Sequence, residues 1–116
     1  MVSPSAGAVV LVTFPFSDLS QAKLRPAVVL AKAGKNDWIL AQIISNAYSD
    51  PRVIKLTDDN FSSGSLRMVS YARPAKLFTA NNRLISAQVG RLTSDTLQQI
   101  VEAVCELLRE GAQQTT

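Results

Sequence analysis

Apolar residues along this chain come in short, dense runs, and their spacing changes only near the end. Residues 8–14 (AVVLVTF) and 24–31 (LRPAVVLA) are rich in Val and Leu and read as buried strands. Gly34-Lys35-Asn36-Asp37 makes a turn, and Trp38 to Ser45 (WILAQIIS) reads as a third strand. Residues 46–51 (NAYSDP) carry turn chemistry and lead into a short strand, Val53 to Leu56. Residues 58–64 (DDNFSSG) predict a loop or a single helical turn. Leu66 to Ser70 and Ala75 to Thr79 predict strands on either side of Tyr71-Ala72-Arg73-Pro74, and Ile85 to Leu92 predicts one more. From Leu97 the apolar residues fall at 97, 100, 101, 104, 105 and 108, which is helical spacing with one apolar stripe. Thr93 or Ser94 can cap that helix, Asp95 suits the positive end of its dipole, and Gly111 is a fitting stop. With no internal repeat, the pattern predicts a mainly β protein. Six or seven short strands form a strongly bent sheet, closed or nearly so, packed against one C-terminal α-helix.

Composition adds bounds to this picture. The 116 residues are expected to form one domain, with its core at 7–110 and loose termini at 1–6 and 111–116. The chain is 47% apolar and only 6% aromatic, so the core must be aliphatic. Cys105 is the only cysteine, which rules out an internal disulfide and fits a reducing compartment. The early apolar run Ala8 to Val12 has no basic residue before it, so no export signal is read, and no run is long enough to span a membrane. The expected location is the cytoplasm.

Charge is divided unevenly. Residues 1–91 carry a net +6 and residues 92–116 a net −3. A basic body with an acidic tail suits a polyanionic partner that touches the body.

The chain has no histidine, which removes the usual proton-transfer group near neutral pH and any Ser–His–Asp hydrolase. No zinc site can be built from His or paired Cys, and no phosphate-binding glycine loop is present, so neither metal nor cofactor is expected. Catalysis, if any, falls to arginine, lysine, carboxylates, hydroxyls and backbone amides. Arg25 leads the candidates. Pro26 keeps it extended at a strand entrance, and its forked donors match a phosphate oxygen. It can equally pair with Asp18 or cap loop carbonyls. Ser45, followed by Asn46, offers a hydroxyl at a strand end, or simply a turn. Arg73-Pro74 repeats the Arg–Pro pairing beside Tyr71 and Lys76, or forms a solvated strand edge.

Gly7-x-Val9-Val10-Leu11-Val12-x-Phe14-Pro15-Phe16-Ser17-Asp18-Leu19, followed by Lys23-x-Arg25-Pro26-Ala27-Val28-Val29-Leu30, resembles the opening of the MazF/PemK-type toxins of bacterial toxin–antitoxin pairs. Gln42-Ile43-Ile44-Ser45-Asn46, Tyr48-Ser49-Asp50-Pro51, Gly64-Ser65-Leu66-Arg67 and the stretch from Ser70 to Thr79 extend the resemblance over residues 7 to 108. It implies an SH3-like barrel with a helix that forms a homodimer and cleaves single-stranded RNA without a metal. It also implies Arg25 and Ser45 as the catalytic pair. Phe16, Ser17, Asp18 and Lys23 are placed on a loop bordering the RNA, with Asn46, Tyr71, Arg73 and Lys76 as further RNA contacts. A cognate acidic antitoxin is the expected protein partner, competing with RNA for a basic groove. A strand edge at Arg67 to Arg73 is expected to be buried in the twofold contact.

Two departures stand out. Many members carry an acidic residue after the first glycine, where this chain has Ala8, and some carry a carboxylate in the segment Tyr71 to Lys76. Asp18 is then the one nearby candidate base. Two rival readings follow: a non-catalytic or attenuated nucleic-acid-binding barrel, and a topoisomerase-poisoning toxin of the same fold. The Arg25–Ser45 pair argues against the second.

Overall fold

Val9 and Val10 alternate to opposite sides of their strand, yet both are fully buried. The sheet is therefore covered on both faces along its centre, which is why its strands read as continuous apolar runs. The computed structural model describes residues 4–14, 23–47 and 50–114. Seven strands follow in order: β1 Ala8–Phe14, β2 Lys23–Lys32, β3 Asp37–Ile44, β4 Ile54–Leu56, β5 Phe61–Gly64, β6 Ser70–Asn81 and β7 Ile85–Leu92. One helix, α1, runs Ser94–Gln113, and single 3₁₀ turns lie at Asp58–Asn60 and Asn82–Leu84. The strands form one antiparallel, nearly closed, barrel-like sheet in the order β4-β6-β3-β2-β1-β7-β5.

One face gathers Val9, Val28, Ala41, Ile43, Ala72 and Leu92 under Ile100 of α1. The other gathers Val10, Val12, Ala27, Val29, Leu40, Ala80 and Ile85, flanked by Trp38, Phe78 and Leu84. Helix α1 starts at Thr93, whose side chain accepts from the amide of Thr96. The chain ahead of β1 is stitched in by Gly7, whose amide donates to Val29 and whose carbonyl accepts from Leu92. Arg91 reinforces it by donating to the Ala6 carbonyl and the Ser5 hydroxyl.

Four expectations change. Residues 61–64 form a strand although only Phe61 is apolar, because Gly64 and Gly90 let β5 lie close against β7. Residues 70–81 form one strand, and no strand covers 66–69. Gly111 lies inside α1 rather than ending it. Finally, β6 is paired on both sides at Tyr71 and Ala72, to β3 and β4, so the expected edge at 67–73 is interior to the sheet there. The edges are the short β4 and β5, three and four residues long.

Candidate active site

Burial along β2 changes abruptly. Lys23, Leu24 and Arg25 are exposed, Pro26 is half-buried, and Ala27 to Val29 are fully buried. Arg25 is thus the last charged residue before the strand enters the core, opposite the buried Val12 of β1. On the other side β2 meets β3 at Ala27–Gln42, and continuing that register carries Arg25 toward Ile44. Ser45 is the next residue, one past the end of β3 and exposed. The start of β2 and the end of β3 therefore meet at one mouth of the barrel.

A cleft of about 280 Å³ opens there, lined by Leu24, Arg25, Pro26, Ile43, Ile44, Ser45, Leu66, Met68 and Ser70. That is the small end of the range for ligand sites, roughly 300–1,000 Å³, and suits one unit of a polymer better than a whole folded ligand. Among the described residues its charge is one-sided: they give the lining a guanidinium and two hydroxyls, and no carboxylate. Among the described residues no acid pairs with Arg25; the ion pairs there are Arg73–Asp50 and Arg52–Glu110. A guanidinium with no acidic partner among the described residues, lining one cleft with a hydroxyl and apolar side chains, has donors suited to an anion.

The outer wall is a strap, residues 65–69, joining β5 to β6. It is pinned at its start by Ser65, whose Oγ donates to the Asp58 carboxylate and accepts from the Arg67 amide. At its end Ser70 Oγ donates to the Met68 carbonyl. Between these pins Arg67 takes a left-handed backbone (φ 62°), and Met68 and Val69 stand 62% and 46% exposed. A larger cavity, about 380 Å³, lies beyond the strap among Thr57, Asp58, Asp59, Arg67, Met68 and Val69. It contains neither Arg25 nor Ser45, so size alone does not mark the site.

Of the other expected residues, Lys23 is exposed two positions before Arg25, and Asn46 is exposed beside Ser45. Tyr71, Arg73 and Lys76 lie on β6 outside the cleft lining: Tyr71 opposite Ile44 and Lys55, Arg73 half-buried, Lys76 exposed. Arg73 Nε donates to Asp50 at 3.1 Å. Phe16, Ser17 and Asp18 lie outside the described residues. Sequence reasoning missed Leu24, Leu66, Met68 and Asp50. Leu24 carried a signal, a leucine between two cations and 54% exposed. Asp50 read only as turn chemistry.

Ala8 is fully buried and pairs with Arg91 on β7. Four residues along the strand separate it from Val12, the partner of Arg25, a span of roughly 13 Å. A carboxylate at position 8 is too far to orient Arg25 directly, so Ala8 gives no reason to expect a disabled cleft. Among the described residues no group of three His, Cys, Asp or Glu is placed to hold a metal ion, and no helix is long and apolar enough to cross a membrane.

Residues 5–108 match the family described as PemK-like, MazF-like toxin of type II toxin-antitoxin system. Comparison with curated protein sequences finds no match. Solved structures are similar in fold at low identity. MazE-MazF from Deinococcus radiodurans (Form-II) is 22% identical with a TM-score of 0.73, covering 93% of this chain and 97% of that one. An endoribonuclease in complex with its cognate antitoxin, from a Mycobacterial species, is 14% identical with a TM-score of 0.69, covering 93% and 95%.

Proposed function

The chain belongs to the PemK-like, MazF-like toxin family of type II toxin–antitoxin systems, and on that premise we propose that it is an endoribonuclease acting on single-stranded RNA. The observation that carries this reading is the cleft that holds Arg25 and Ser45 together, with no carboxylate among the described residues of its lining. In the proposed reaction the ribose 2′-oxygen attacks its own phosphorus, and the P–O5′ bond breaks. The products are a 2′,3′-cyclic phosphate and a 5′-hydroxyl. Charge gathers on the non-bridging oxygens as the fifth bond to phosphorus forms. Arg25 meets that charge with fixed donors, and the Ser45 hydroxyl donates a second hydrogen bond. Arginine keeps its proton at working pH, so Arg25 acts as an electrostatic partner, leaving proton transfer to solvent or to a carboxylate such as Asp18. Lys23 and Asn46, flanking the pair, and Tyr71 and Lys76 on β6 hold the RNA on either side; Phe16 and Ser17 border it from the β1–β2 connection.

No step needs a metal, so EDTA is expected to leave the rate unchanged. A single 2′-deoxy substitution at the cut is expected to abolish cleavage, and efficient cutting of an all-DNA strand sinks the mechanism. Arg25→Ala is expected to slow cleavage about a hundredfold or more, like loss of an oxyanion donor. Ser45→Ala is expected to cost less, since a neutral donor is weaker than a charged one. An Arg25→Ala protein that keeps its fold and the full cleavage rate removes the site assignment. The family premise also supports a homodimer and an acidic antitoxin segment that competes with RNA near Arg25. Light scattering and a displacement assay with labelled RNA test these two points.

A further inference from the structure

Ser45 stands on a stretch with no regular structure among its described residues until β4 begins at Ile54. A hydroxyl that meets a phosphoryl oxygen productively must be held within a fraction of an ångström. Strand pairing does not hold it, because β3 ends at Ile44. The brace comes from further along. The Ala47 carbonyl, two residues past Ser45, accepts from the Asp50 amide. The Asp50 side chain is only 12% exposed, and its two oxygens are both engaged. Oδ1 accepts from the backbone amide of Arg52 at 3.0 Å, across Pro51, and Oδ2 accepts from Arg73 Nε at 3.1 Å. Arg73 lies on β6 two residues beyond Tyr71, the partner of Ile44. The chain therefore leaves β6 at Ile44 and is tied back to the same strand at Arg73. Arg52 in turn pairs with Glu110 of α1. Four alternating charges, Glu110, Arg52, Asp50 and Arg73, run from helix to sheet beside the segment that carries Ser45.

We infer that the Asp50–Arg73 pair is a positioning device for Ser45: it serves the reaction by anchoring Asp50, whose amide holds the Ala47 carbonyl two residues past Ser45, without touching RNA. This rests on the proposed role of the Ser45 hydroxyl. Arg73 lies outside the cleft lining, and its Nε is occupied by a mostly buried carboxylate, whereas Arg25 has no acidic partner among the described residues. The Arg52 amide and then the Arg73 guanidinium hold the Asp50 carboxyl below its ordinary range, against the opposing effect of burial. The pair is therefore fully charged wherever RNA cleavage is measured.

The test is single-turnover cleavage and RNA affinity for Asp50→Asn, Asp50→Ala, Arg73→Ala and Arg73→Lys, each in the wild-type and the Ser45→Ala backgrounds. Amide hydrogen exchange of residues 45–50 is followed in parallel. Loss of either partner is expected to slow cleavage about tenfold or more, with RNA affinity within about twofold of wild type. Arg73→Lys is expected to recover most of the rate. In Ser45→Ala the same changes are expected to cost nothing further, and Asp50→Asn is expected to speed exchange at 45–50 but not in β1. Three results overturn the inference: tighter RNA binding by Asp50→Ala, severalfold weaker binding by Arg73→Ala at an unchanged cleavage rate, or equal slowing in both backgrounds. The first two make Arg73 a phosphate contact. If Arg73→Ala shows no melting transition, the near-isosteric Asp50→Asn decides alone. Should the wild-type protein cut no RNA, the proposed function fails, while the exchange experiment still decides whether the pair holds residues 45–50.

Discussion

At Gly64 a single methyl group has nowhere to go. The backbone there is left-handed (φ 67°), and a Cβ would lie 2.2 Å from the Val89 carbonyl oxygen. Gly64→Ala is expected to destabilise the fold by about 2–4 kcal/mol, combining the left-handed penalty with overpacking. A thermal melt is expected to drop by roughly 10 °C or more. Because the strap begins at the next residue, RNA cleavage is expected to suffer before the fold is lost. Gly111 is the opposite case: it lies within α1 with open space around its Cβ position. Gly111→Ala is expected to stabilise by about 0.5–1 kcal/mol, and a fall in melting temperature contradicts that. At this scale the sequence was informative about place. Arg25 before a proline at a strand entrance and Ser45 just past a strand end were both legible as positions, and they line one cleft. Asp50 was not, because its meaning depends on Arg73, 23 residues away and on another strand.

Strands were legible where both faces are buried, since burial on two sides leaves an unbroken apolar run, as in β1 and β2. Where tertiary contact overrides composition they were not. Strand β5 is Phe61–Gly64, with serine in two of four positions and one apolar side chain, and it exists because two glycines let backbones approach. Strand β6 continues through Pro74, which sequence reasoning took as a break. The ladder to β3 jumps from Ala72–Ile43 to Leu77–Ala41, so Pro74 falls in a bulge where no amide hydrogen is required. The helix was legible by period, and its hold on the sheet can be measured. Ile100 is fully buried among Val9, Val28 and Ala72. Ile100→Ala is expected to cost about 2–5 kcal/mol in denaturant unfolding. Thr93→Ala, which loses the cap, is expected to cost about 1 kcal/mol. Equal effects of the two would mean that α1 is held mainly by its own end rather than by the core.

Over the whole molecule, charge sets the response to solution conditions. With no histidine in the chain, no side chain of ordinary pKa changes charge between about pH 5 and 8. RNA affinity at fixed salt is therefore expected to be flat across that range, and to fall steeply as salt rises through release of counterions. Acid is different. Asp50 has a lowered folded-state pKa, so the stability it contributes is present above the ordinary carboxylate value, about 3.9, and is lost as pH falls through the folded value. The gap in melting temperature between wild type and Asp50→Asn is expected to be constant above about pH 5 and to close below it. A gap that persists undiminished in acid would assign the loss to packing.

The first strand waits for the last. Ala8 and Val9 take one set of partners from Arg91 and Gly90, some eighty residues downstream. Such long-range pairing places folding in the slow, millisecond-to-second class, and a ribosome adds only about 5–20 residues each second. While the chain is being made, β1 therefore has an apolar surface and no β7 to cover it. The cleft can also not be complete before that point, since its strap hangs from β5, which pairs only with β7. A chain interrupted before Ile85 is thus expected to leave RNA uncut in the proposed reading, and the proposed activity arises only once β7 has been made.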